Sequence, residues 1–211
     1  MSTFQFAIEL IGTIAFAGSG AMVAIRKRLD LLGVLVLGVT TAVGGGMIRD
    51  LVIGIHPPVM FQDPIYVTVA IMTSFILFVL LKVYRPIMSF LESELYDNIL
   101  NIMDAIGLGV FTVVGVNTAI HKGRGEYLFL AIFLGVITGV GGGVLRDIMV
   151  RQVPAILWKH IYACASIAGA ISYIVLRQIM GDDIAMFLST CIVVVIRLLA
   201  RHYKWNLPRI T

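Results

Sequence analysis

Seven apolar stretches follow one another along this chain, at about residues 4–25, 31–53, 62–83, 101–119, 127–150, 157–177 and 183–200. Each is close to the ~20 residues that a helix needs to cross the hydrocarbon core of a bilayer. Of the 211 residues, 59% are hydrophobic and 13% charged, about half the charged share of a soluble domain. The expected fold class is therefore an all-α integral membrane protein with seven transmembrane helices. The first stretch lacks a basic n-region and is interrupted by Glu9, so it reads as a retained helix and not as a signal peptide.

The breaks are short. Arg26 to Asp30, Gly54 to Pro58, His121 to Glu126 and Arg151 to Pro154 separate stretches, and Lys82 to Asp97 forms the longest connection. The net charge is +4, and its basic residues stand at segment ends, which points to orientation in a bilayer and not to nucleic acid. One set of ends holds Arg26, Lys27, Arg28, Lys82, Arg85, Arg151, Lys159, Arg201, Lys204 and Arg209. The opposite set holds Lys122, Arg124 and Arg177. The richer set is expected to be cytoplasmic. That places the N-terminus outside and the C-terminus inside.

Two of the stretches carry the same motif. Gly44-Gly45-Gly46 precedes Arg49-Asp50, and 97 residues later Gly141-Gly142-Gly143 precedes Arg146-Asp147. At the same offset Gly12 falls on Gly109, Gly18 on Gly115, Lys27 on Arg124 and Pro57 on Pro154. The chain therefore divides into a three-helix repeat at 1–97, a second at 98–180, and a seventh helix with a tail at 181–211. A unit of three crossings sets the second copy upside down relative to the first, an inverted-topology repeat.

Three glycines cost a helix roughly 2–3 kcal/mol relative to alanine. The expectation is an unwound segment near mid-bilayer, its half-helix ends offering partial charges of both signs. Asp50 and Asp147 then have three roles open to them: binding a cation, capping the half-helix amides, or pairing with an arginine of the other repeat. The competing reading is close helix packing. Arg49 and Arg146 sit about 100° round the helix from their aspartates, so one of each pair is expected to face a path while the other braces the bundle. Buried charge at such depth has a functional reason in most membrane proteins.

Glu9 and Asp104 are the other intramembrane acids, and at the offset of 97 they are not equivalents. Ser19, Asn117 and Thr118 are candidates for polar lining or for helix–helix hydrogen bonds. Cys164 and Cys191 read as buried small hydrophobes. His56, His121, His160 and His202 fall at segment ends, while Trp158, Tyr162, Tyr203 and Trp205 read as interfacial anchors. No phosphate-binding loop, metal-ligand spacing or nucleophile–base set is present in the sequence, so neither an enzyme nor a cofactor or metal site is expected.

The doubled Gly-Gly-Gly-x-x-Arg-Asp motif resembles the prokaryotic branch of the trimeric intracellular cation (TRIC) channels. It is similar also to an overlapping bacterial membrane family of paired three-helix repeats that includes described glycine transporters. The resemblance spans about residues 1–200. It implies a homotrimer in a prokaryotic inner membrane, each subunit with its own hourglass pore between the first, second, fourth and fifth helices. It implies conduction of monovalent cations, potassium above all, among membrane lipids. Gly44, Gly45, Gly46, Gly141, Gly142 and Gly143 become kink residues, and Asp50 and Asp147 pore-side candidates beside Arg49, Arg146, Glu9 and Asp104. Met47-Ile48-Arg49 stands where the animal channels carry a Lys-Glu-Val lipid-binding sequence. The alternative function is secondary transport of a small zwitterion such as glycine, since a broken helix offers both poles such a solute needs.

Overall fold

The structure is a computed structural model and describes residues 2–83, 90–158 and 161–205. Arg85, Lys159, His160 and Arg209, and the side chain of Trp158, lie outside the described residues. Seven helices are long and apolar enough to cross a membrane. They are α1 (Thr3–Arg26), α2 (Leu31–Ile53), α3 (Ile65–Val83), α4 (Glu94–Ala119), α5 (Leu128–Met149), α6 (Tyr162–Met180) and α7 (Asp182–His202). Among the described residues there is no strand. The protein is an all-α, multi-pass membrane protein.

Local chemistry sets the boundaries. Ser2 caps α1 by accepting from Gln5 N at 3.0 Å, and Asp30 caps α2 by accepting from Gly33 N at 2.8 Å; side-chain acceptors at this position satisfy amides that have no partner within the helix. Gly54 ends α2 in the left-handed region at φ 78°, a conformation open to glycine without a Cβ penalty. The fourth helix starts earlier than its apolar stretch. Ser93 accepts from Tyr96 N, and Glu94 and Asp97 fall in the first turn, where the helix dipole favours acids. Residues 94–97 thus belong to α4 and not to the connection.

Four helices make the core. α1 packs on α2 and α4, α5 packs on α4 and α2, and α3 and α6 lie outside them, α3 against α1 and α2, α6 against α5 and α4. α7 rests on α6 and α4. Ser2 bonds Asp183 at one end of the bundle, and Arg26 pairs with Asp97 at 2.6 Å at the other. These are called the Ser2 end and the Arg26 end below. Three buried threonines are tied off on their own backbone: Thr13 to Glu9 O, Thr41 to Leu37 O and Thr138 to Leu134 O, at 2.5–2.8 Å. Such back-bonding spares a polar group in an apolar surround the cost of having no partner.

The backbone stays helical through both glycine triplets. The expectation of unwound half-helices with exposed ends is corrected here. The reason is the approach of α2 to α5. A Cβ on Gly45 would strike the Thr138 carbonyl and come within 3.3 Å of Gly142 N, and one on Gly142 would strike the Thr41 carbonyl. A Cβ on Gly141 would stand 3.0 Å from Gly45 Cα. Without side chains the two backbones touch, and packing across the crossing offsets the helix-propensity cost of the glycines.

Candidate functional site

Each Arg-Asp pair closes on itself. Arg49 donates from Nε and Nη2 to Asp50 Oδ1 at 2.9 and 2.7 Å, and Arg146 donates from Nε to Asp147 Oδ1 at 2.9 Å. The long guanidinium folds back to the next residue, so the separation of about 100° does not keep the two apart. The second oxygen of each carboxylate reaches forward. Asp50 Oδ2 accepts from Val59 N at 2.9 Å and Asp147 Oδ2 from Ala155 N at 2.8 Å. These amides open the two short helices Val59–Gln62 and Ala155–Trp158. Of the three roles open to the aspartates, the geometry supplies amide capping, though of the next helix and not of a half-helix. The arginine partner comes from the same copy.

The two clusters lie at opposite ends of the bundle. At the Ser2 end a cavity of about 60 Å³ is lined by Glu9, Thr13, Gly46, Arg49, Asp50 and Tyr66, among others. Glu9 accepts from Tyr66 Oη at 2.5 Å and from Gln5 Nε2 at 2.8 Å. At the Arg26 end a cavity of about 750 Å³ is lined by Arg26, Lys27, Asp97, Arg146, Asp147 and Gln152, among others. The two share no lining residue. Between them lie the glycine crossing of α2 on α5 and the rings of Phe16 and Phe111, 5.4 Å apart between α1 and α4.

Asp104 belongs to the second cluster. Arg146 Nη1 donates to its Oδ1 at 2.8 Å and to Ser19 Oγ at 2.6 Å, and Arg197 Nη2 lies 3.7 Å from its Oδ2. Ser19 is thus a helix–helix hydrogen-bond partner. So is Asn117, whose Oδ1 accepts from Tyr173 Oη at 2.8 Å. Thr118 back-bonds to Val114 O.

Two residues that the sequence does not mark as part of the site, Arg197 and Tyr162, join this cluster. Arg197 is 2% exposed, and its guanidinium sits 4.4 Å over the Tyr162 ring. Tyr162 is buried there and is no interfacial anchor, whereas Tyr203 and Trp205 are exposed at the chain's described end. The signal the sequence offers for Arg197 is an arginine inside the last apolar stretch, near its end. Cys164 is exposed and Cys191 half-buried, against the expectation of burial.

Packing also revises the match between the halves. Gly12 faces Val110 and Phe111, and Gly107 faces Phe16. Gly20 meets Thr41 and Leu37 O, and Gly115 meets Thr138 and Leu134 O. In α1 and α4 the equivalent positions are therefore 12 and 107, 16 and 111, 20 and 115, an offset of 95 and not 97. By that offset Glu9 falls on Asp104.

Fold and site together define a polytopic membrane protein with a four-helix core and a charged cluster at each end. The family described as "Glycine transporter" matches residues 6–82 and 101–178, and the chain belongs to it. The UPF0126 inner membrane protein YadS of Escherichia coli is 38% identical over 203 residues, 95% of this chain and 93% of its own. YvgT of Bacillus subtilis is 34% identical over 95% and 94%. A solved TRIC cation channel is 38% identical with a TM-score of 0.80, covering 97% of this chain and 96% of that one. The orthologue from Rhodobacter sphaeroides of the TRIC trimeric intracellular cation channel gives 30% identity and a TM-score of 0.85, covering 96% and 100%.

Proposed function

We propose that this protein is a homotrimeric, potassium-permeable cation channel of a prokaryotic inner membrane, with one conduit in each subunit between α1, α2, α4 and α5. The observation that carries the reading is the pair of charged cavities at opposite ends of that core, in a fold that superposes over nearly its whole length on TRIC cation channels. Glu9, Arg49 and Asp50 line one mouth, and Arg146 and Asp147 line the other with Asp104 buried behind Arg146. Gly44 to Gly46 and Gly141 to Gly143 mark where α2 and α5 bend or part when the conduit opens, because no side chains there resist sliding.

The halves at 1–97 and 98–180 are inverted repeats, with 181–211 appended. Support comes from contacts that recur between α1 and α4 at a fixed offset and from the outer helices α3 and α6 taking matching places. The basic residues at the Arg26 end make that end cytoplasmic, which puts the N-terminus outside. A cation crossing such a path is driven by about 2.3 kcal/mol per 100 mV.

Purified protein in planar bilayers tests the reading. Under a potassium chloride gradient we expect discrete single-channel currents that reverse near the potassium equilibrium potential. Saturable uptake of labelled glycine into liposomes, with no such currents, overturns the channel in favour of a carrier.

A further inference from the structure

The two mouths carry equivalent acids in different company. Glu9 and Asp104 each stand three residues before the glycine that receives the other helix's phenylalanine or its neighbour. Asp104 faces two guanidinium groups, Arg146 at 2.8 Å and Arg197 at 3.7 Å. Arg197 comes from α7, the helix outside the two three-helix halves. Glu9 is held by a phenol and an amide, both neutral donors. Among the described residues Glu9 makes no ion pair, and Arg49, which lines the same cavity, gives Nε and Nη2 to Asp50.

The formal charges follow. Arg146 and Arg197 against Asp104 and Asp147 sum to zero, and Arg26, Lys27 and Asp97 on the same cavity add one positive charge. Arg49 against Asp50 and Glu9 leaves one negative charge. That charge sits at the mouth with the smaller cavity, about 60 Å³ against about 750 Å³. A fixed charge acts most strongly on an ion in a narrow, poorly solvated space, and acidic groups at a constriction favour cations over anions.

We propose that Glu9 is the carboxylate that selects cations in this conduit, and that Arg197 withholds the same role from Asp104. Tyr66 and Gln5 fix the Glu9 carboxylate in place without neutralising it. The seventh helix thereby makes a nearly symmetric path electrically one-sided. This inference rests on the channel reading above.

Reversal potentials in planar bilayers under a potassium chloride gradient test it, on the wild type, Glu9→Gln, and Glu9→Gln combined with Arg197→Gln. The amide keeps the shape of Glu9 and removes its charge. Glu9→Gln is expected to lower the cation-to-anion permeability ratio about tenfold, and the double variant to regain about threefold as Asp104 is released. If Glu9→Gln does not yield assembled protein, Gln5→Lys sets a cation against the carboxylate and is expected to produce the same fall. Wild-type protein without currents removes the channel reading and this inference with it. Wild-type currents together with unchanged selectivity in Glu9→Gln or in Gln5→Lys overturn this inference alone.

Discussion

Gly142→Ala is expected to abolish stably folded protein, the largest effect of any single methyl group in this chain. The new Cβ would lie 3.0 Å from the Thr41 carbonyl carbon and closer still to its oxygen. Both obstacles are backbone of α2, so no side chain can turn aside. α2 and α5 would have to separate along their crossing, losing contact on both sides of it. Overpacking by a methylene where side chains can adjust costs typically 1–3 kcal/mol, and here the cost lies above that range. Gly45→Ala meets the Thr138 carbonyl in the same way and is expected to behave alike. Gly46 supplies the contrast: its Cβ would find only Arg49 Nη2, at 3.8 Å. Gly46→Ala is expected to fold as the wild type does or better, by up to about 1 kcal/mol of helix propensity. The yield of monodisperse protein and the thermal midpoint in detergent decide it. Equal behaviour of Gly46→Ala and Gly142→Ala would show that the crossing does not depend on bare backbone.

How far this fold can be read from its sequence depends on the scale. Bilayer thickness imposes a fixed length on every span, so seven apolar stretches gave seven helices, with α4 extended backward by a polar turn that carries no hydropathy signal but has the cap Ser93. The doubled Gly-Gly-Gly motif pointed to the right pair of helices. Its conformation is not legible there, because propensity speaks of an isolated helix and the contact that compensates the glycines lies on another segment. The Glu9–Asp104 equivalence stayed hidden for a different reason. α2 and α5 begin 97 residues apart, at Leu31 and Leu128, while α1 and α4 match at 95. Two extra residues are taken up in the turn at Ile120–Arg124, where Gly123 adopts φ 72°. A single constant offset cannot see such an insertion. The local spacing could have: Glu9 to Gly12 to Gly20 repeats as Asp104 to Gly107 to Gly115. Arg197 and Tyr162 needed the structure, since nothing in their spacing links α6 and α7 to the acid on α4.

Arg146→Leu is expected to be the most destabilising removal of a charge. Arg146 is 5% exposed and gives hydrogen bonds to Asp104, Asp147 and Ser19 from three helices. Leucine fills much of the volume but leaves two buried carboxylates, of which Asp104 keeps the Arg197 guanidinium at 3.7 Å and Asp147 keeps the Ala155 amide at 2.8 Å. Breaking a buried pair from one side costs about 3–5 kcal/mol, most of it the penalty of the stranded partner. Arg49→Leu strands Asp50 alone, because Glu9 has its own neutral donors, and is expected to cost less. The stranded charge can itself be removed. Asp104→Leu added to Arg146→Leu takes away the carboxylate that lost its 2.8 Å partner, and the two changes are expected to fall short of additivity by about 1–3 kcal/mol, as for residues in direct contact. Thermal unfolding of the two single variants and the double variant in one detergent measures that coupling. Strict additivity would mean that the Arg146–Asp104 contact at 2.8 Å contributes nothing to holding α5 against α4.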